Sequence, residues 1–173
     1  MKFKFKIGRK YSRKEIKAFV GHSNPDAIGG DLATGYTVFQ ACFFIFATID
    51  TAGRTGHDYP NILMNNELYL FSKNHHTLTT PSIKNMMDGE YEVYIFTREN
   101  SKDPNFNFNG LGYVRDYENT KPAHIVWGFV ESLNKIPFNY KAAERKKFIE
   151  GAKKENTTTR YERNIYAREA FIG

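Results

Sequence analysis

The chain has 173 residues, which is enough for one domain with its own buried core. Its hydrophobic fraction of 40% and aromatic fraction of 16% exclude an intrinsically disordered chain and favour a β-rich core. The net charge of +6 is uneven: residues 1–17 carry eight basic side chains against one acidic, residues 141–173 carry nine against five, and the centre is acidic. Basic ends suit an anionic partner, although solvated helix faces would give the same distribution.

The cysteine content and the N-terminal sequence limit the cellular compartment in which the protein is expected. Cys42 is the only cysteine, which excludes an internal disulfide and a cysteine-based zinc site. The first residues, MKFKFKIGRK, interleave cations with aromatic rings and lack an apolar stretch of signal-peptide length. No segment approaches about 18 uninterrupted apolar residues. We therefore expect a cytoplasmic protein with no membrane partner.

The first predicted element is a short helix that begins after Ser12 and ends at Gly21. Ser12 and Glu15 have the spacing of a capping box, which satisfies the first helical N–H groups. One apolar face follows, formed by Ile16, Phe19 and Val20. The next segment, HSNPDAIGGDLATGY at 22–36, is rich in glycine and asparagine and predicts an ordered loop.

The strands are predicted from apolar runs. Residues 38–49 are apolar and aromatic, which predicts one strand buried on both faces. Shorter runs predict further strands at 68–71, 91–96, 106–115 and 124–130. Turn signals separate these runs, and TTPSIKNMM predicts a short helix with Pro81 near its start. The pattern indicates an α+β fold, with a small, strongly curved mixed or antiparallel sheet or partial barrel and a few helices.

A change of composition after Pro137 divides the chain. We predict a folded domain at 1–137 and a charged helical arm or linker at 138–173. Within the arm, Thr159 and Glu162 again have capping-box spacing. Whether the arm forms a homodimer of a longer parent protein or only links its domains stays open.

Catalytic sites find little support in the sequence. His57, Asp58, His75 and His76 invite a metal-dependent nuclease site, but each pair is adjacent in sequence, which in a strand sends the two side chains to opposite faces. A carboxylate–lysine nuclease core, a nucleophile elbow and a phosphate-binding P-loop are all missing. We therefore expect no catalytic residue, cofactor or metal in this chain.

Three loops combine polar groups with aromatic rings, and the first two also contain glycines. They are GGDLATGY at 29–36, with Asp31, Thr34 and Tyr36; AGRTGHDYPN at 52–61, with Arg54, Thr55, Asp58 and Tyr59; and LYLFSKNHHT at 68–77, with Phe71, Ser72, Lys73, Asn74 and His75. Cations and small polar groups can fix a phosphate backbone while rings stack on exposed bases, which suits nucleic acid. Each ring could equally be a core residue, and each glycine a plain turn.

Read in order, seven motifs resemble a known domain. They are YSRKEI, GGDLATGY, FFIFATIDTAGRTGHDYPN, LYLFSKN, PSIKNMM, VYIFTREN and FNFNGLG. The series is similar to the N-terminal domain of HNH-type restriction endonucleases and to the C-terminal module of some restriction helicases, which belong broadly to the SRA-like or PUA-like folds. The resemblance covers residues 8–132. The tail RYERNIYAREAFIG resembles the segment that leads into the HNH nuclease domain.

The resemblance implies a module that binds double-stranded DNA and reads a modified base, 5-methylcytosine or a derivative, by extruding it into a pocket. It also implies that the HNH nuclease domain, with its divalent metal, would lie beyond Gly173, so that this chain alone does not cut DNA. We assign the base pocket to Asp31, Tyr36, Asp58, Tyr59, Phe71 and Ser72. We assign the phosphate contacts to Thr34, Arg54, Thr55, Lys73, Asn74 and His75.

Three alternatives stay open at this point. A modification-blind, sequence-specific DNA reader of the same fold would bind marked and unmarked duplexes equally. A small enzyme using His57, Asp58 and His76 would cut nucleic acid with metal alone. An RNA-binding or peptide-binding PUA-like module would be indicated by a preference for single-stranded RNA.

Overall fold

The structure is a computed structural model, in which residues 1–49 and 61–130 are described. They form a mixed sheet of eight strands with two helices, an α+β architecture. In chain order the elements are β1 (Lys10–Ser12), α1 (Arg13–Phe19), β2 (Tyr36–Phe39), β3 (Cys42–Thr48), β4 (Ile62–Met64), β5 (Glu67–Phe71), α2 (Pro81–Met87), β6 (Glu92–Arg98), β7 (Asn105–Glu118) and β8 (His124–Phe129).

The sheet is open and has the strand order β2-β3-β6-β7-β8-β5-β4, with β1 paired to β7 beside this path. Strands β3 and β6 are parallel, and the other strand pairs are antiparallel. The chain between β3 and β6 contains β4, β5 and α2, so a long crossover connection joins this parallel pair.

The long strand β7 bends the sheet. Its first part pairs with β1 and β6, and its second part pairs with β8. The register shifts between Ile95 and Phe96 of β6 and again between Val114 and Asp116 of β7. Such irregularities bend strands and increase their twist. Beyond these bends, a single parallel bridge between Ile49 and Asn61 joins the start of β4 to the end of β3.

Two hydrophobic clusters cover the two faces of β3. The α2-side cluster contains Phe43, Ile45 and Ala47 and packs beneath α2, whereas the α1-side cluster contains Phe44 and Phe46 and packs beneath α1. Because successive side chains of a strand point to opposite faces, an uninterrupted apolar run is what a strand in this position needs. The predicted burial on both faces is therefore confirmed for β3.

Both predicted helices are present. Helix α1 has the capping box, in which Glu15 N donates to Ser12 Oγ at 3.1 Å and Ser12 N donates to Glu15 Oε2 at 2.7 Å. The chain leaves α1 through Gly21, whose φ of 78° is accessible to glycine at little cost. Helix α2 begins at Pro81, the residue that the sequence places near its start.

The prediction of one strand from 38 to 49 is wrong. The run is a β-hairpin, in which a turn at Gln40 and Ala41 separates β2 from β3. Both turn residues have positive φ, 49° and 58°, a conformation that hairpin turns usually give to asparagine and glycine. Gln40 and Ala41 therefore give no turn signal, whereas MNNE at 64–67 does give one and forms a turn between β4 and β5, with Asn65 and Asn66 at positive φ.

The remaining predicted strands correspond to β5, β6, β7 and β8, while β1 and β4, with three residues each, were not predicted. The boundary at 137 and the helical arm at 138–173 lie outside the described residues. In the ranges 1–49 and 61–130, neither helix has the length and apolar character that a membrane crossing requires.

Candidate nucleic-acid interface

Backbone and side-chain contacts bring two of the predicted loops together. The loop at 29–35 enters β2 beside β3, where Phe46 N donates to Gly35 O at 2.7 Å. The loop that follows β5 returns to the start of β2, because Lys73 N donates to the hydroxyl of Tyr36 at 3.2 Å. The first and third predicted loops therefore meet at β2, whereas only Asn61 of the second is among the described residues.

Asn61 fixes the meeting point of three strands. Its Nδ2 donates to Thr48 O of β3 at 3.4 Å, and its Oδ1 accepts from Phe71 N of β5 at 3.0 Å. Its backbone forms the bridge to Ile49. One amide side chain thus holds the end of β3, the start of β4 and the end of β5 together.

Tyr36, Lys73 and His76 form a compact group, here called the tyrosine cluster. Tyr36 is buried, and its hydroxyl contacts Nδ1 of His76 within hydrogen-bond distance. The ammonium of Lys73 lies 4.7 Å from the centre of the Tyr36 ring, a cation–π contact. Because the hydroxyl oxygen accepts from Lys73 N, its proton can be donated to Nδ1 of a neutral His76.

Burial keeps the tyrosine cluster in this protonation state. The pKa of His76 is lowered first by burial and then by the charges of Lys73 and His75. Burial also raises the pKa of Tyr36, and the Lys73 N–H partly offsets this shift. At neutral pH the cluster therefore consists of a neutral donor, a neutral acceptor and one cation held over an aromatic ring.

Ser72 and Phe71 have different environments. Ser72 is buried; its Oγ accepts from Ala123 N at 2.9 Å and lies 3.2 Å from His76 O, to which it can donate. The Ser72 hydroxyl therefore fixes the loop onto the chain before β8. The Phe71 ring is half-buried and lies 4.6 Å from the His124 ring, so these two residues form an aromatic surface at the end of β5.

The other predicted contacts vary in placement. Thr34 Oγ1 donates to Tyr36 O at 3.1 Å, which places Thr34 beside the tyrosine cluster. Asp31 and His75 are exposed and Asn74 is half-buried. The four candidates from the second loop, Arg54, Thr55, Asp58 and Tyr59, lie outside the described residues.

The structure adds a second cationic group, here called the arginine cluster, that sequence reasoning missed. It contains Arg13, Arg98, Phe46 and Phe106. The guanidinium carbon of Arg13 lies 4.2 Å from the Phe46 ring centre and 5.0 Å from that of Phe106, and Arg98 lies 4.5 Å from the Phe106 ring. Both rings belong to the α1-side cluster, whereas Tyr36 belongs to the α2-side cluster. The two cationic groups therefore lie on opposite faces of β3.

Arg13 is tied to the first predicted loop, and Arg98 is tied to the end of β3. Arg13 Nη1 donates to Leu32 O at 2.7 Å, inside GGDLATGY. Arg98 Nε donates to Thr48 Oγ1 at 3.0 Å, just before residues 50–60. The two arginines are far apart in sequence, one after an N-cap and one at a strand end, so no spacing pattern indicates that they converge.

Lys17 is a further missed residue. It is only 1% exposed, and its ammonium donates to Ala27 O at 2.6 Å and lies 3.4 Å from Gly29 O. A buried cation needs such partners, and carbonyls of a loop can supply them. Lys17 therefore holds the start of the GGDLATGY loop against α1. In an amphipathic-helix pattern this position reads as solvent-facing, so the sequence gives no signal of it.

Candidate metal ligands and nucleophiles were also located. Within 1–49 and 61–130, no three His, Cys, Asp or Glu side chains come close enough to hold a metal ion, and His57 and Asp58 lie outside those ranges. Cys42 is buried, and burial raises the pKa of its thiol to about 11. A thiol with so high a pKa is a poor nucleophile.

The comparisons with known proteins give one family. A family model described as a domain of unknown function, DUF3427, matches residues 5–128. No curated protein matches the sequence. The matched range runs from the N-terminal segment into β8, so it contains both helices, both cationic clusters and the three loops.

Proposed function

The chain belongs to the DUF3427 family, and we propose that it is a DNA-binding domain that reads a modified base by extruding it from the duplex. The base is 5-methylcytosine or a derivative. One observation carries the proposal: the first and third predicted loops meet where the Lys73 ammonium lies 4.7 Å from the centre of the Tyr36 ring and Lys73 N donates to the Tyr36 hydroxyl.

The curvature of the sheet supports an SRA-like or PUA-like fold. A bent mixed sheet whose last strand comes back to β3 through the bridge between Ile49 and Asn61 has the connections expected of a partial barrel. A flipped base needs a cleft at such a sheet's edge, lined by loops that can differ between readers.

Extrusion of a base from the duplex costs a few kcal/mol of stacking free energy. The protein must offset this cost by stacking a ring on the extruded base and by forming hydrogen bonds with it. In this proposal Phe71, next to His124, supplies ring surface. Tyr36 has a positioning role, because its hydroxyl is engaged by His76 and Lys73 and its ring carries the Lys73 ammonium. Asp31 and the second-loop residues Asp58 and Tyr59 remain the candidates that read the edges of the base.

The phosphate backbone is held by cations in the same proposal. Lys73 lies at the point where the third loop leaves β5, and Asn74 and His75 follow it directly. Such contacts fix the position of the duplex and do not read its sequence. They predict binding that weakens steeply with salt.

The proposal is tested by fluorescence-anisotropy titration of one duplex that carries cytosine, 5-methylcytosine, 5-hydroxymethylcytosine or N6-methyladenine, at two salt concentrations. We expect a preference of at least about tenfold, or about 1.4 kcal/mol, for one modified cytosine. Equal and salt-sensitive binding to all four duplexes would instead identify a modification-blind reader. Binding to none of them, or tighter binding to single-stranded RNA, would overturn the proposal.

A matched pair of lysine variants locates the interface. Lys73→Gln removes the cation of the tyrosine cluster, whereas Lys84→Gln removes an exposed cation of α2. We expect only Lys73→Gln to weaken binding to every duplex and to reduce the salt dependence by about one unit of slope. An equal effect of both substitutions would place the interface elsewhere.

A further inference from the structure

A further group of cations lies on the N-terminal segment that precedes β1. Lys4, Lys6 and Arg9 are exposed, and they are here called the basic surface. Between them the chain turns inward: Phe3 is half-buried and Phe5 is only 4% exposed, and both rings pack into the α1-side cluster. The segment comes before the first strand and helix, so these cations do not lie on a solvated helix face.

The backbone of this segment is fixed to the sheet. Phe3 N donates to the hydroxyl of Tyr94 at 2.8 Å, and Lys6 N donates to the hydroxyl of Tyr11 at 2.9 Å. Because both bonds use main-chain donors, they leave the side chains of Lys4 and Lys6 in solvent. The basic surface is therefore held in place before a partner binds, which lowers the conformational entropy that binding costs.

A tight turn brings Lys6 and Arg9 together. Arg9 N donates to Lys6 O at 3.1 Å, and Gly8, the third residue of the turn, has a φ of 83°. Glycine adopts this conformation at little cost, and such a turn keeps its first and last Cα atoms within about 7 Å. The guanidinium carbon of Arg9 lies 4.8 Å from the centre of the buried Tyr11 ring, whose hydroxyl accepts from Lys6 N. One tyrosine thus holds both ends of the turn.

Acidic neighbours do not neutralise the basic surface. In the described part of the chain, none of the ion pairs includes Lys4, Lys6 or Arg9. The charge of Arg9 acts on Glu15, but the pKa of that carboxyl is lowered first by the hydrogen bond from Ser12 N, and Arg9 is the smallest cause. The turn therefore holds two cations close together without an ion-pair partner, an arrangement that a bound anion would stabilise.

The distribution of charge favours a polyanion as the partner. Residues 1–17 carry eight basic side chains against one acidic, whereas the centre of the sequence is acidic. A chain of this kind must draw the cations that bind a phosphate backbone largely from such a segment. The rings of Phe5 and Tyr11 beside these cations are buried, so the basic surface offers charge without a platform for stacking. This suits phosphate contacts and not the recognition of bases.

We propose that Lys4, Lys6 and Arg9 bind the phosphate backbone of DNA on the α1 side of β3, an interface that rests on the proposed function. Lys73 lies on the α2 side, over the ring of Tyr36. The two sets of cations therefore contact different parts of the duplex, and the basic surface contributes affinity without reading the modified base.

The experiment compares two double variants with the same change of charge. Lys4→Gln with Lys6→Gln removes two cations of the basic surface, whereas Lys84→Gln with Lys102→Gln removes two exposed lysines elsewhere. Arg9→Gln is measured as a single variant. Affinity for the unmodified and modified duplexes is measured by fluorescence anisotropy over a range of salt concentrations. The unfolding temperature and the binding to vesicles that contain phosphatidylserine are measured alongside.

We expect the Lys4 and Lys6 double variant to weaken DNA binding about tenfold and to lower the salt slope by about two, since each lost phosphate contact lowers it by about 0.9. Arg9→Gln should lower the slope by about one for the same reason. The double variant should keep the preference for the modified base and the wild-type unfolding temperature, because both side chains are exposed. The control double variant should keep the wild-type slope.

The outcomes separate the basic surface from the proposed function. With the base preference intact, a wild-type slope in the Lys4 and Lys6 variant or in Arg9→Gln overturns the basic surface alone. An equal decrease of slope in both double variants does the same, because it reflects net charge. Equal binding to all duplexes, with a slope that falls only in the variants of the basic surface, retains that surface and overturns base reading. A chain that binds no duplex overturns both proposals, and vesicle binding would then identify an anionic membrane as the partner.

Discussion

The tyrosine cluster and the arginine cluster each hold a cation over an aromatic ring, but the two kinds of ring have different partners. Lys73 lies 4.7 Å from the Tyr36 ring, and Arg13 lies 4.2 Å from the Phe46 ring. Tyr36 carries a hydroxyl that exchanges hydrogen bonds with His76 and with Lys73 N. The phenylalanine rings carry no polar atom and belong to the aromatic core below α1.

This difference teaches that one cation is held by a hydrogen-bond network and the other by a hydrophobic core. A network responds to the loss of a single hydroxyl and to protonation, because each member depends on the proton position of the next. A core responds to lost volume. The two clusters should therefore fail under different perturbations.

The largest effect is expected from Phe106→Ala. Phe106 is 1% exposed and supports both arginines, so its truncation removes core packing together with two cation–π contacts. We expect the free energy of unfolding to fall by about 3–5 kcal/mol, measured by urea denaturation. The pH dependence of stability should keep its wild-type form, because the tyrosine cluster is untouched.

Phe19→Ala is the control for that truncation. Phe19 is 50% exposed although it contacts Phe5, so its removal should cost less than about 1 kcal/mol. A loss for Phe106→Ala as small as that for Phe19→Ala would contradict the view that the arginine cluster depends on the core.

An intermediate effect is expected from Tyr36→Phe. The substitution keeps the ring but leaves the partly buried Lys73 N–H and His76 Nδ1 without the hydroxyl as a partner. We expect a loss of about 1–2 kcal/mol in urea denaturation. Tyr69→Phe removes a hydroxyl that bonds Glu67 at 3.2 Å on a half-buried strand, and about 0.5 kcal/mol is expected there. Equal losses of stability in the two variants would show that the tyrosine cluster stabilises the fold no more than a single side-chain hydrogen bond does.

The smallest effect is a change in pH dependence. Since the pKa of His76 is lowered in the folded protein, the unfolded chain binds a proton more readily. Its contribution to stability is therefore complete above the ordinary histidine pKa of about 6.5 and is lost as pH falls from there toward the lowered folded value. His76→Gln should reduce this acid destabilisation, measured by urea denaturation between pH 5 and pH 7.5.

His75→Gln serves as the control for that titration, because His75 is the exposed neighbour. It should retain most of the acid destabilisation of the wild-type chain, because burial is the largest cause of the lowered His76 pKa and the His75 charge is the smallest. If His76→Gln and the wild type lose stability in parallel as pH falls, the tyrosine cluster does not contain the group that titrates.

The parts of the fold that depend on neighbours in sequence could be predicted. Ser12 and Glu15 predict the start of α1, because a capping box acts within one helical turn. Pro81 predicts the start of α2, because proline favours the first turn of a helix. The apolar runs in the sequence predicted β5, β6, β7 and β8, because the apolar side chains of these strands face the interior. The tyrosine cluster was found in part, since Tyr36 and Lys73 were both selected for their chemistry.

The features that were not predicted depend on contacts between residues that are distant in sequence or on pairing between strands. Gln40 and Ala41 adopt positive φ because the pairing of β2 with β3 compensates for an unfavourable local conformation. Arg13 and Arg98 meet only because β6 and α1 both reach the Phe106 ring. The buried position of Lys17 arises because the loop folds back over α1 and offers carbonyls to its ammonium.

Asn61 is a point on which two strand ends depend. Its side chain ties Thr48 to Phe71, and the bridge from Asn61 to Ile49 joins the same place, so one residue fixes the ends of β3 and β5. Because the same amide group serves both strands, their ends should loosen together, and this corner of the sheet should open as one cooperative unit.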